Sequence, residues 1–284
     1  MDMSEVRVVI PKELDRTLEA LMKAGFAGNK AELVRAALLS FLSTLPTQLP
    51  KGYDLETAFS SDGRIFQLEY AREATRKGGT ILGICCQEGV VLAKEIKKEL
   101  EEKNPFLVIP NPFMRIFKIN QQIGLVYSGI MIDAQVLVRE AEKIVDEMEK
   151  KGGVEITELA RELAFYMQPF CQRKDHRPLG VAIILGGLDS SGKPHLFLMD
   201  GGGLALECKA CVVGSDEEKI QEKMKEGYNP KMNLKDALLL AAKALLTEKK
   251  KAKKLLMATI DTDTKTFREL TENEKREIIN KINL

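Results

Sequence analysis

The sequence predicts an α+β fold, a four-layer αββα sandwich of two antiparallel sheets stacked face to face with helices on each outer side, preceded by a small strand–helix–helix unit. Three observations carry this. Apolar runs come in blocks, strands then two helices, strands then two helices, then strands again, an order in which each sheet buries one face on the other and one on helices. The chain has 284 residues, 44 % of them hydrophobic, enough to close a substantial core. Residues 46–52, PTQLPKG, break the pattern between residues 1–45 and residues 53–284. The two prolines and the glycine hold that linker extended over at most ~25 Å, so the two parts are closely tethered.

The first unit opens with EVRVVI (residues 5–10), a β-branched run that stops at Pro11. Residues 12–24 place Leu14, Leu18, Leu21 and Met22 at helical spacing, and Gly25 ends that helix with a left-handed residue. Asn29 is the N-cap of a second helix, with Glu32 as its capping-box acid, and the apolar face is Leu33, Val34, Ala37, Leu38, Phe41 and Leu42. A strand and two helices this short cannot bury their own apolar faces, and a lone strand leaves an open edge. The unit is therefore expected to pair strand with strand in a dimer.

In the second part, Ser60 to Arg64 has turn composition with Gly63 tolerating positive φ, and a helix carrying Phe66, Leu68, Tyr70, Ala71 and Ala74 ends before Gly78 and Gly79. TILGICC and GVVLAKE read as a hairpin turning at residues 87–89, followed by strands at 115–119 and 123–128. Helices are predicted over 131–150 and 155–173. Strands follow at 180–188, 195–199 and 208–214, the first two joined by the turn Asp189-Ser190-Ser191-Gly192. Helices at 216–226 and 234–248, strands at 255–261 and 266–268 and a helix from Thr271 complete the chain. Lys249, Lys250, Lys251, Lys253 and Lys254 read as a solvated run that complements the end of the helix before them.

Composition also narrows function. Lys plus Arg number 43 against 42 Asp plus Glu, so no overall field draws the chain to nucleic acid or an anionic membrane. No apolar run reaches the length of a membrane span, and residues 1–5 are too polar to begin a secretion signal; the chain reads as cytoplasmic. Five cysteines in strand and helix segments fit reduced, buried thiols. Cys208 and Cys211 have CxxC spacing, but in a continuous strand residues three apart point to opposite faces, which argues against a metal or redox site. His176 and His195 lie in separate polar stretches and read as solvated or singly bonded. No metal or cofactor is expected.

Two resemblances add to this reading. VRVVIPKELDRTLEALMKAGFAGNKAELVRAALLSFL resembles the ribbon-helix-helix family, obligate dimers of which most are repressors that lay a two-stranded ribbon in the DNA major groove. The resemblance puts Glu5, Arg7 and Val9 on the base-reading face, where only Arg7 is a good donor, and leaves Asn29 and Lys30 at the second helix N-terminus as a phosphate seat. Residues 1–50 hold six basic against six acidic side chains, a weak basis for binding driven by counterion release. A dimerisation clip and a DNA reader both stand as readings of residues 1–45.

YDLETAFSSDGRIFQLEYAREATRKGGTILGI, EGVVLA, YSGIMIDAQVLV, RPLGVAIILGGLDSSGKPHLFLMDGGG and KACVVGS resemble, in order, the α-type subunit of the archaeal 20S proteasome, across residues 52–284. This implies the N-terminal-nucleophile hydrolase fold and a non-catalytic ring subunit that stacks on β-type peptidase rings, forms the entry gate and receives an activator ATPase. The family's catalytic relatives use a threonine, an aspartate and a lysine; matching them to this chain gives Gly79, Glu95 and Arg115, with Thr80 one residue too late, so no enzyme is expected. The activator-tail pocket carries over to Arg115 and Gly78, with arginine where the family has lysine. The gate turn carries over to Tyr53, Asp54, Ser61 and Tyr70, with Ser61 in place of the family's proline. The chain also departs from the family between Ala93 and Ile119, where Pro105, Pro110 and Pro112 bracket the apolar residues 106–109, interface or core.

The combined reading is a non-catalytic proteasome α-type subunit or paralogue whose ribbon-helix-helix module pairs subunits or rings and caps the gate. A unit that must pair leaves one copy unpartnered in a ring of seven, so the homo-oligomer is expected to contain an even number of copies. The alternative is a DNA-binding transcriptional regulator that uses the second domain as an oligomerisation scaffold.

Overall fold

The computed structural model describes residues 9–44, 59–60, 63–96, 116–173, 176–246 and 254–282. It divides into two units, up to Leu55 and from Glu56. The first contains helices α1 (Lys12–Lys23) and α2 (Lys30–Thr44). Gly25 follows α1 at φ +83°, and Phe26 N–H closes back on Leu21 carbonyl at 3.1 Å, the left-handed stop that the glycine predicts. Asn29 Oδ1 accepts from Glu32 N–H at 2.9 Å, while the Glu32 carboxylate accepts from Gly28 N–H at 3.0 Å, one residue earlier than a capping box requires. Leu18 is buried in this unit, yet Leu14, Leu21, Phe26 and Leu38 are exposed. The expected strand at 5–10 lies almost wholly outside the described residues, with Val9 and Ile10 in irregular conformation.

The second unit places helix α3 (Phe66–Arg76) before two five-stranded antiparallel sheets. The hairpin β1 (Ile81–Cys86) and β2 (Gly89–Ile96) turns as expected, with Gly83 opposite Leu92 and Gly89 at φ +146°. β3 (Phe117–Lys118) and β4 (Ile123–Gly129) lead into helices α4 (Met131–Lys150) and α5 (Ile156–Met167). The helix expected to run to residue 173 leaves the α conformation at Gln168, where Pro169 removes an amide donor and a 3-10 turn takes over. Strands β5 (Val181–Leu188), β6 (Pro194–Met199), β7 (Ala205–Glu207) and β8 (Ala210–Val213) follow. The last elements are α6 (Glu217–Gly227), α7 (Leu234–Leu245), β9 (Lys254–Asp261), β10 (Thr266–Glu269) and α8 (Glu272–Ile282).

One sheet runs β10-β9-β2-β1-β8 and the other β3-β4-β5-β6-β7. Alternation along the strands builds three apolar layers. Leu82, Ile84, Val91 and Met257 face α6, α7 and α8, and Leu125, Ile183 and Leu185 face α4 and α5. Ile81, Val90, Leu92, Val126, Ile184 and Ile260 fill the space between the sheets. Glycines on the inner faces set how close the sheets come. A methyl group at Gly83 would lie 2.8 Å from Ile184 and Leu196, at Gly124 2.6 Å from the Phe267 ring, and at Gly186 2.7 Å from Val90.

Three expectations are corrected. The strand expected over 208–214 is confined to β8, and the residues before it form a bend: Cys208 N–H still donates to Leu196 carbonyl in one sheet, while Lys209 carbonyl already accepts from Cys85 N–H in the other, both at 2.8 Å. The chain crosses between sheets at that bend, so Cys208 and Cys211 face the same inter-sheet layer rather than opposite faces. His195 is neither solvated nor singly bonded. It is buried and stacked on Phe197, with Nδ1 2.6 Å from Glu207 and Nε2 3.1 Å from Asp189, because β7 returns Glu207 beside β6. Finally, Lys254 begins β9 rather than extending a solvated helix end; residues 249–253 and the apolar segment 106–109 lie outside the described residues. Among the described residues no helix is long and apolar enough to cross a membrane.

Gly186→Val forces two methyl groups into the filled inter-sheet layer and is expected to cost about 1–3 kcal/mol, read as a lower urea midpoint at unchanged slope. Burial works to raise the Asp189 carboxyl, but bonds from Ser191 hydroxyl, Lys193 amide and His195 outweigh it and hold it at about 2, below its ordinary 3.8. That depressed value stabilises the fold above pH ~4, and the contribution fades as pH falls towards 2. Acid titration of stability should therefore show the gap between wild type and Asp189→Asn narrowing over that range.

Candidate functional site

The chain enters β1 through Gly78, Gly79 and Thr80, and its surroundings leave no room for a side chain at either glycine. Gly78 N–H donates to Thr75 carbonyl at 3.1 Å, and the same carbonyl accepts from the buried Ser128 hydroxyl at 2.8 Å. A Cβ on Gly78 would stand 2.4 Å from that hydroxyl oxygen and 2.5 Å from Gly129 N. On Gly79 it would stand 2.4 Å from the carbonyl oxygen of Glu95. The clash is with backbone, and no rotamer relieves it. Thr80 is fully buried, its hydroxyl 3.4 Å from Ser215, and its carbonyl accepts from Glu95 N–H at 2.8 Å as the first rung beyond the β1–β2 ladder.

Sequence reasoning brought Gly78, Gly79, Thr80 and Glu95 to this place and missed Lys94, Tyr127 and Ser128. Lys94 shares the inner-face parity of Val90 and Leu92, so a lysine in the buried run GVVLAKEI was the available signal. Its ammonium lies 3.3 Å from the centroid of the Tyr127 ring, a cation–π contact in a nearly water-free setting. Burial alone holds the Lys94 amine at about 7 and pushes the Tyr127 phenol up to about 12. Arg115, assigned to the activator-tail pocket with Gly78, lies outside the described residues.

Of the gate-turn residues, Tyr53, Asp54 and Ser61 lie outside the described residues, and Tyr70 stands half-exposed on α3. Ser60 N–H donates to Arg64 carbonyl at 2.9 Å around Gly63 at φ +78°. Arg64 then forks onto Glu69, with its head 5.4 Å from the Phe66 ring. Tyr70 borders a shallow cleft with Ala74, Ile130, Pro178 and Gly180, and Gly180 carbonyl accepts from Ile130 N–H at 2.8 Å. The buried Asp133 braces that corner, taking both arms of Arg177 at 2.7 and 2.9 Å and Gly180 N–H at 2.7 Å. Exposed Ile130, Ile132 and Val136 continue the apolar surface along the start of α4.

Of the residues assigned to DNA, Arg7 lies outside the described residues. Asn29 caps its own helix, and Lys30 Nζ is held by Asp15 at 2.7 Å and Glu19 at 3.0 Å. Among the described residues no group of three His, Cys, Asp or Glu could hold a metal ion.

Lys94 gives the site a measurable signature. Its folded value of about 7 lies below its ordinary 10.5, so between those pH values the unfolded chain binds more protons and stability rises with pH. Lys94→Met should therefore be more stable than wild type at pH 6, with the advantage shrinking by pH 10 in urea titrations; a pH-independent difference would contradict the burial of this amine.

Comparison with known proteins extends the geometry. Residues 53–74 match the N-terminal signature of A-type proteasome subunits, and residues 75–260 match the proteasome subunit family. The chain is 35 % identical over 241 residues to a proteasome alpha subunit of Methanosphaerula palustris, covering 83 % of this chain and 98 % of the relative. It is 36 % identical over 233 residues to one from Methanoregula boonei, covering 80 % and 95 %, and 35 % identical over 228 residues to one from Thermococcus sibiricus, covering 78 % and 85 %. The signature runs through most of α3, and the longer match extends from the end of α3 into β9, leaving β10 and α8 outside it. The chain belongs to the proteasome subunit family, on its α side.

Proposed function

We propose that this chain is a non-catalytic α-type ring subunit that stacks on β-type peptidase subunits, and that its first unit pairs copies of the chain. The observation that carries the non-catalytic half is the space at Gly79. The position that resemblance aligns with the nucleophile has no side chain and, with the Glu95 carbonyl 2.4 Å from any Cβ, no room for one. Thr80 offers no substitute, because its hydroxyl is fully buried against Ser215. The apolar surface of Tyr70, Ile130, Ile132 and Val136 supports a ring neighbour, since a folded unit of this size exposing several large apolar side chains at one corner gains by covering them.

The first unit supports pairing over DNA reading. Its exposed Leu14, Leu21 and Leu38 are unburied in one copy, and a second ribbon-helix-helix copy would cover such residues. Phosphate binding draws no support from Lys30, whose ammonium already holds Asp15 and Glu19. Activator docking at Arg115 and Gly78, and gate control by Tyr53, Asp54, Ser61 and Tyr70, belong to the same proposal as functions of the outer face of the ring.

Co-expression with an archaeal β-type subunit should yield a particle that contains both chains and hydrolyses peptides through the β nucleophile; elution of this chain apart from β with no peptidase would overturn the ring assignment. Mass photometry of the full chain should give an even number of copies, and a stable single heptamer with intact N-termini would overturn the pairing.

A further inference from the structure

The crossover from β7 to β8 gathers chemistry that the proposed function leaves unused. Cys208 is the last residue bonded to one sheet and Cys211 lies in the other, paired with Gly83. Both side chains pack in the inter-sheet layer, Cys211 buried within it and Cys208 partly open to solvent at its rim. The bend at Lys209 brings both residues of a CxxC spacing, which a straight strand would send to opposite faces, into one layer. The two thiols differ. Cys208 is drawn down to about 7, first by the neighbouring Cys211 thiol, whereas Cys208 and burial drive Cys211 well up. The Cys208 Sγ also lies 3.4 Å from Leu206 carbonyl. Cys85, the third thiol packed on this layer, is pushed up to about 11 by burial, and its Sγ donates to Pro194 carbonyl at 3.5 Å.

We propose that Cys208 and Cys211 form a reversible dithiol–disulfide site whose substrate is a low-molecular-weight disulfide. The Cys208 thiolate attacks one sulfur of R–S–S–R, forming a Cys208–S–S–R mixed disulfide and releasing RS⁻. Cys211 gives its proton to the released thiolate and attacks the Cys208 sulfur; the Cys208–Cys211 bond forms and the second RS⁻ leaves, taking its proton from solvent. The protein has lost two electrons and R–S–S–R has become two RSH. Reactivity begins at Cys208 because it is the thiol that reaches solvent and carries the larger thiolate fraction near neutral pH. Cys211, buried and held against it, is the resolving partner. The product bond would pin the point where the chain passes from one sheet to the other.

Sequence makes the test direct, because Lys209 lies between the two cysteines and trypsin cuts after it. The native full-length chain is incubated with oxidised glutathione, alkylated and digested. Wild type should yield peptides 175–209 and 210–219 joined by a disulfide that reduction separates, with intact mass lower by about 2 Da. Cys211→Ser should stop at the glutathione adduct on Cys208, and Cys208→Ser should give neither adduct nor link at these positions. Circular dichroism of each variant before oxidation confirms that it is folded. Wild type that stops at the adduct, a link from Cys208 to Cys85 instead, or no reaction at Cys208 in folded protein would each overturn the proposal.

Discussion

The structure depends on how closely its two sheets approach. Gly83, Gly124 and Gly186 stand on inner faces, each where a methyl group would fall within 2.8 Å of a side chain from the opposite sheet. Removing those side chains lets Val90, Leu92, Ile184 and Leu196 interlock, and none of them is exposed. The same closeness decides what happens at the ends of the layer. At one end it strips water from Lys94 and leaves the Tyr127 ring as neighbour to its charge. At another it forces a chain changing sheets to bend within a residue or two, which brings Cys208 and Cys211 into one layer.

Most of this was legible in the sequence because strands in a stacked sandwich are buried on both faces or alternate strictly, and both patterns leave a mark. GVVLAKE and VAIILGGL read as strands from their β-branched and apolar density, and β2 and β5 are buried along their whole length. Helix ends were legible from single residues: Gly25 and Asn29 act as predicted, and Thr271 caps α8, its hydroxyl and amide both bonding Glu274 at 2.8 Å. What periodicity cannot show is a strand that changes partner midway. Residues 205–213 keep a strand-like pattern through the bend, because Cys208 and Lys209 each still bond a neighbouring sheet. The error at His195 has the same origin. Its carboxylate partner Glu207 arrives by tertiary pairing of β7 with β6, twelve residues away, and no local signal announces it.

The candidate site was legible in a different sense. Sequence identified Gly79 as lacking a nucleophile, but a missing side chain is compatible with an open cavity that a single substitution could refill. Geometry is more restrictive. Glycine at 78 and 79 is required by the path of the backbone itself, wedged between Ser128–Gly129 on one side and the Glu95 carbonyl on the other. In the proposed non-catalytic role the absence of a nucleophile and the packing would be the same fact, and placing a threonine at 79 demands moving β2.

Assembly follows from where apolar surface stays exposed. Among the described residues of the second unit nearly every large apolar side chain of the strands is buried, while exposed ones outside the strands include Ile130, Ile132 and Val136 around the start of α4, a corner braced by Asp133, Arg177 and Gly180. A braced apolar surface suits a permanent neighbour, because little conformational entropy is lost when it is covered. The first unit has the opposite balance: its two described helices bury Leu18 and leave Leu14, Leu21 and Leu38 exposed, so in the proposed pairing its fold and its association would be coupled. Under the proposed function that association would depend on the local concentration of a second copy, and a ring formed by the second unit would raise that concentration and so strengthen pairing by the first.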